Sequence, residues 1–168
     1  MEKKQIERCL GLLNDALAKL DVRGEVCLYG GAVMCLVYGA RPSTKDVDGI
    51  FQPTSILREA IAKIGHEHGL APDWLNDAVK GFVVGHPKHL FLELSHLRVF
   101  VPEPDYLLAM KALSARADGT DRDDIKYLIR QLGLKGAEDV FSILKQYYPN
   151  EQVRPATQFF VQELFDQT

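Results

Sequence analysis

Two carboxylates, Asp46 and Asp48, stand one residue apart in the segment TKDVDGIF. On a strand, residues i and i+2 point to the same face. Two carboxylates on one face repel each other, and a divalent cation between them removes that repulsion. Upstream, Gly30 and Gly31 follow the short apolar run VCLY. A glycine pair lets backbone N–H groups approach phosphate closely. Between glycines and carboxylates lie Arg41, Ser43, Thr44 and Lys45. All four can donate to phosphate oxygens, Arg41 bidentately. Hard carboxylate oxygens beside phosphate donors point to a metal-dependent nucleotide site.

The elements that must position these residues are legible from periodicity. Residues 25–51 read as strand, glycine turn, short buried helix (32–38), basic loop and second strand. On that second strand Val47 alternates with the two aspartates, giving one apolar and one acidic face. Before it, residues 3–20 are expected to be a helix. Ile6, Cys9, Leu10, Leu13, Leu17 and Leu20 recur at three- and four-residue spacing. After it, Thr54 is placed to N-cap a helix with Ile56, Leu57, Ala60, Ile61 and Ile64 inward, and residues 65–72 form a loop. The segment DWLND (73–77) is expected to open a short helix ending by Gly81, with Trp74 as a packing anchor. HLFLEL and HLRVFV then read as strands with a turn or bulge at Ser95-His96.

Beyond Pro102 the pattern is entirely helical, over 105–117, from an N-cap at Asp121, over 136–147 and over 156–166. The fold class is therefore α+β. It comprises a small mixed or antiparallel sheet flanked by helices in residues 1–102 and a helical part in 103–168. The two are expected to pack as one compact unit. QFFVQELF, in the last helix, reads as core packing, with a partner-docking or self-association face as the alternative.

Composition sets outer bounds. The chain has 168 residues, 46% hydrophobic and 26% charged, with a formal net charge of −3. An acidic isoelectric point near 5.9 argues against a nucleic-acid binder driven by bulk charge. A local basic cluster remains, in Arg41, Lys45, Lys111, Arg116 and Arg122. The longest apolar run, 32–38, is far short of the about 20 residues that span a bilayer, so no membrane association is expected. The polar N-terminus has no secretory h-region. Cys9, Cys27 and Cys35 are odd in number and fit no CxxC pattern, as in a reduced cytoplasmic protein. His66, His68, His86, His89 and His96 are scattered without metal-ligand spacing and read as structural or surface residues.

Apolar strand, Gly30-Gly31, then Asp46-Val47-Asp48 together resemble the signature of the DNA polymerase beta-type nucleotidyltransferase superfamily. Within it the chain is most similar to small AbiEii-like toxin nucleotidyltransferases. PDYLLAMKALSAR (104–116) resembles that group's lysine-bearing helix, and DRDDIKYL (121–128) its final acidic motif. WLNDAVKGF also resembles a bacterial branch of it. The resemblance spans roughly residues 26–128. It implies that Asp46 and Asp48 hold Mg²⁺ and that Gly30, Gly31, Arg41, Ser43, Thr44 and Lys45 meet an NTP. It gives Lys111 the role of a further phosphate ligand projecting from its helix. Asp123 or Asp124 would act on the acceptor or orient a basic residue, and one of the two would be only a first-turn helix acid.

Two departures from the family pattern stand out. A third metal carboxylate often lies on a later strand, and the only strand candidate is Glu93 in LFLEL. Ala32 and Val33 follow the glycines where a small hydroxyl residue is common. The implied activity is nucleotide transfer from an NTP to RNA, such as a tRNA 3′ end, or to a protein hydroxyl. The setting is a toxin–antitoxin system with an antitoxin partner. Two alternatives are a non-catalytic nucleotide-binding module that kept the fold and a small-molecule transferase of the antibiotic-modifying kind.

Overall fold

The computed structural model describes residues 1–115 and 119–166. Arg116, one of the basic cluster, lies outside the described residues. The chain divides into two compact units, Met1–Val83 with Lys88–Pro102, and Val84–Pro87 with Glu103–Thr168.

The first unit is built on five strands: β1 (Gly24–Tyr29), β2 (Val47–Gln52), β3 (Leu75–Asn76), β4 (Lys88–Glu93) and β5 (Leu97–Pro102). They lie in the order β3-β2-β1-β5-β4. β1 pairs antiparallel with β2 and parallel with β5, so the sheet is mixed. β2–β3 is parallel and β4–β5 antiparallel. The fold class read from the sequence, a small mixed sheet flanked by helices, is the observed one.

One face of this sheet is apolar. Val26 and Leu28 of β1, Val47 and Phe51 of β2, and Leu97, Val99 and Val101 of β5 are all buried. Helices α1 (Lys3–Lys19) and α3 (Thr54–Glu67) supply the apolar stripes of the unit. In α1, Ile6, Cys9, Leu10, Leu13 and Leu17 fall at helical spacing and are buried. Burial of each such leucine contributes about 1.5–3 kcal/mol, so a charge at Leu13 would break the packing. Leu17 and Leu57 close over Gly24, where a Cβ would lie 2.8 Å and 3.1 Å from their Cδ1 atoms. Leu20, expected on the same stripe, falls past the helix end and is 60% exposed.

Other local readings are corrected by tertiary pairing. The DWLND segment does not open a helix. Leu75-Asn76 is drawn out as β3 because Val47 and Asp48 supply a parallel ladder. The helical tendency survives only as a single 3₁₀ turn, Ala78–Gly81. Trp74 is buried and donates its indole N–H to the Ile61 carbonyl at 3.0 Å, anchoring this segment to α3. Thr54 is the first residue of α3 rather than its cap; Pro53 caps, and the Thr54 hydroxyl donates to the Phe51 carbonyl. The expected loop from residue 65 begins later, since α3 runs to Glu67.

The second unit is helical: α4 (Pro104–Ser114), α5 (Thr120–Leu132), α6 (Ala137–Tyr147) and α7 (Pro155–Asp166). α4 is its centre, packed against the other three. It is buried nearly all round, from Tyr106 to Ala112. It ends at Ser114, where Ala115 turns to extended backbone, and residues 116 and 117 of the expected helix lie outside the described residues. Gly119, not Asp121, is the N-cap of α5. Among the described residues no helix is long and apolar enough to cross a membrane.

Candidate functional site

The candidate site lies where β1 runs out. Tyr29 is the last strand residue, and the chain turns at Gly30 into α2 (Gly30–Leu36). Gly30 has φ +63°, a conformation that glycine adopts without strain. A Cβ there would lie 3.0 Å from Asp48 Oδ2. A Cβ on Gly31 would lie 2.7 Å from both Arg41 Nη1 and Thr44 Oγ1. Five sequence-predicted residues therefore converge: Gly30, Gly31, Arg41, Thr44 and Asp48. The missing side chains let a carboxylate, a guanidinium and a hydroxyl close on the backbone of the turn.

Register explains the convergence. Asp48 is directly opposite Tyr29 in the β1–β2 ladder, so its side chain lies beside the turn. It alternates with Val47 and Gly49, which are buried, while Asp48 is half-buried. Asp46 differs from expectation. It lies one residue before β2, in an exposed bend, so strand alternation does not orient it. The ladder starts only at Val47, whose N–H donates to the Trp74 carbonyl at 2.8 Å.

The loop between α2 and β2 is held from several sides. Ala40 N–H donates to Met34 O at 2.9 Å, and Cys35 Sγ contacts Pro42 O at 3.6 Å. Ser43 bridges antiparallel to Glu2, and Thr44 N–H donates to Met1 O at 2.9 Å. Thr44 is buried, and its hydroxyl donates to the Asp46 carbonyl at 3.1 Å. That bond fixes the bend that carries Asp46. Ser43 and Lys45 are exposed and Arg41 is half-exposed.

Glu93 is far from this cluster. It pairs with Arg98, which pairs with Glu25, at the opposite end of β1 from Tyr29. Three strand spacings across and four residues along separate it from Asp48, roughly 19 Å in all. It cannot share an ion with Asp46 and Asp48, which corrects its expected role as third ligand. Among the described residues no group of three or more His, Cys, Asp or Glu is arranged to hold a metal. Two hard carboxylates nevertheless suit Mg²⁺, which is commonly held by one or two carboxylates with substrate phosphates and water completing the octahedron. Glu93 lines a cleft of about 580 Å³ with Arg23, Glu25, Gln52, His96 and Arg98, at the end of the sheet away from the glycine turn. Its charges are mutually satisfied in part, with Arg98 paired to Glu25 and His96 Nδ1 3.0 Å from Ser95 Oγ.

The second unit holds the other predicted residues. Lys111 does not project from its helix. Its side chain is 7% exposed, with Nζ 2.7 Å from Asp124 Oδ2 and 3.2 Å from Asp121 Oδ1. Its charge is matched internally, which corrects its expected role as a projecting phosphate ligand. Asp124, 2% exposed, is the nearer carboxylate partner of this lysine. Asp123 is an exposed first-turn acid. Asp121, expected as a cap, is the second partner of Lys111. Arg122 pairs with Glu163 at 3.2 Å and lies over the Phe160 ring.

A polar aromatic cluster in this unit has only a faint trace in the sequence. The fully buried Tyr106 has its hydroxyl 2.9 Å from that of Tyr148 and accepts the Val84 N–H at 3.1 Å. His86 stacks on its ring at 4.0 Å. Tyr147 donates to Asp105 Oδ2 at 2.7 Å. Burial, then the bond to Asp105, pushes the Tyr147 phenol up to about 12. Burial and the bond to Tyr106 raise Tyr148 as well. The adjacent tyrosines at the end of α6 were the only available hint. The three cysteines are free and buried, and burial pushes the Cys9 and Cys27 thiols up.

No protein-family model, curated protein or solved structure gives a significant match to this chain.

Proposed function

We propose that the chain is a Mg²⁺-dependent nucleotidyltransferase that moves a nucleotide from an NTP to a hydroxyl acceptor. The observation that carries this reading is the convergence of Asp48, Arg41 and Thr44 on the Gly30-Gly31 backbone. A carboxylate and a guanidinium against one glycine turn suit a metal–triphosphate, which needs both charges at once. Asp48, with Asp46 in the neighbouring bend, would hold the ion. When bound, Mg²⁺ neutralises phosphate charge and polarises the phosphoryl oxygens. Gly30 and Gly31 bring backbone against the triphosphate, and Arg41 donates to its oxygens. Thr44 keeps the 41–46 loop in place through its own backbone and hydroxyl bonds. In the transfer, the acceptor hydroxyl oxygen bonds to the α-phosphorus and gives up its proton to solvent as the bond to the pyrophosphate leaving group breaks.

The acceptor class rests on the family resemblance: an RNA such as tRNA, or a protein hydroxyl, with the enzyme as toxin and an antitoxin protein as partner in the cytoplasm. A second reading, a non-catalytic nucleotide-binding module, draws on the remoteness of Glu93 and the internal pairing of Lys111.

Incubation with each labelled NTP, Mg²⁺ and total tRNA tests the proposal, beside an Asp46→Ala, Asp48→Ala variant. Label transfer by the wild type and its loss in the variant is expected. Transfer that survives the double substitution would remove the metal assignment. NTP binding without transfer to tRNA or protein would establish the binding module instead.

A further inference from the structure

The β4 edge carries features that nucleotide transfer does not use. β4 is the last strand of the sheet, and among the described residues no strand pairs with its outer side. Such an edge offers unpaired N–H and C=O groups to another chain. Its residues are nearly all exposed, and Leu90 and Phe91 are 43% and 37% exposed. They are the only two adjacent side chains among the four exposed large hydrophobics of the described residues.

Backbone direction along β4 follows from two hydrogen bonds. Leu94 N–H donates to Leu97 O, so Leu97 faces β4, while His96 O accepts from Gly24 N–H and faces β1. By alternation Leu97, Val99 and Val101 face β4, and Arg98, Phe100 and Pro102 face β1. Glu93 is opposite Arg98 and Lys88 is opposite Pro102. Both Glu93 and Lys88 therefore direct their own N–H and C=O to the free edge. Residues five apart would point to opposite sides in a regular strand. The irregularity between Leu90 and Leu92 adds the residue that brings them to the same side. Their side chains also share a sheet face, because Arg98 and Pro102 are four apart on β5.

We infer that β4 pairs antiparallel with β4 of a second copy of this chain, about a two-fold axis between Leu90 and Phe91. The hexapeptide KHLFLE is self-complementary in that register. Lys88 meets the partner's Glu93, His89 the partner's Leu92 and Leu90 the partner's Phe91, each twice by symmetry. Opposite charges directly across an antiparallel pair stabilise it, and like charges destabilise it. A lysine and a bulge ordinarily guard an edge against foreign strands. Here the bulge aligns the two charged rungs, and Glu93 selects the chain's own lysine.

Sedimentation velocity of the full chain across a dilution series tests this. The wild type is expected to shift from monomer to dimer with rising concentration. Lys88→Glu and Glu93→Lys are each expected to weaken the dimer at least about tenfold, since each converts both symmetric pairs to repulsions. Combining them restores the pairs with charges exchanged, and the double variant is expected to recover the wild-type dimer. Loss of a merely structural contact would not be rescued that way. A wild type that stays monomeric throughout, single variants that dimerise like the wild type, or a double variant no better than the singles would overturn the inference.

Discussion

Replacing Lys111 by Met isolates the buried charge set of the helical unit. Methionine keeps most of the apolar stem and removes only the ammonium. In the wild type that ammonium sits 2.7 Å from a carboxylate that is 2% exposed and 3.2 Å from one that is 37% exposed. Without it, Asp124 is a buried charge lacking its counter-ion, a change that ordinarily destabilises by about 3–5 kcal/mol. Asp121 adds little, because solvent screens it. For a chain of this size the loss corresponds to a fall in Tm of about 6–20 °C. Circular-dichroism melts at neutral pH measure it. The double variant Lys111→Met, Asp124→Leu leaves no orphan charge and should recover most of the loss. A single variant within about 1 kcal/mol of wild type, or a double variant no more stable than the single, would refute the argument that this lysine is matched internally.

Gly31→Ala places a Cβ 2.7 Å from Arg41 Nη1 and Thr44 Oγ1. Gly31 is helical, so alanine suits its backbone, but Arg41 and the buried Thr44 must both give way. Mg²⁺–NTP affinity, by isothermal titration calorimetry, should fall at least about tenfold in a variant that circular dichroism shows to be folded, and unchanged affinity would sink the placement of the triphosphate at this turn. Tyr147 predicts a pH dependence. Its phenol, pushed up to about 12, ionises later folded than unfolded, where its pKa is about 10. Its contribution is thus fully present below about pH 10 and is lost as pH rises toward about 12, amounting to roughly 2–3 kcal/mol. Denaturant unfolding of wild type and Tyr147→Phe should show a steeper alkaline loss for the wild type, and parallel curves would sink the assignment.

Much of the candidate site was legible because its parts are close in sequence. Gly30, Gly31, Arg41, Thr44 and Asp48 lie within one strand–helix–loop–strand passage, and the pairing of β1 with β2 brings its two ends together almost by necessity. Helix spacing in α1 and α3 was equally local, since burial of one stripe is a pattern of neighbours. Segment 73–77 was misread because its strand exists only through a ladder with Val47 and Asp48, over twenty residues upstream. Asp46 looked like Asp48 because alternation assumes a strand, and nothing local marks where the ladder begins.

The sequence by itself determined the α+β class, the apolar stripes and the glycine turn that admits Asp48, Arg41 and Thr44. Those depend on periodicity and on backbone sterics, which act over a few residues. Tertiary structure alone decided what each charge meets. It gave Thr44 the Asp46 carbonyl, buried Lys111 between Asp121 and Asp124, and sent Glu93 to an edge strand roughly 19 Å from Asp48. A charged residue has the same local pattern whether it is solvated, paired or held for a ligand. Which of these applies depends on the strand order and helix packing that choose its neighbours.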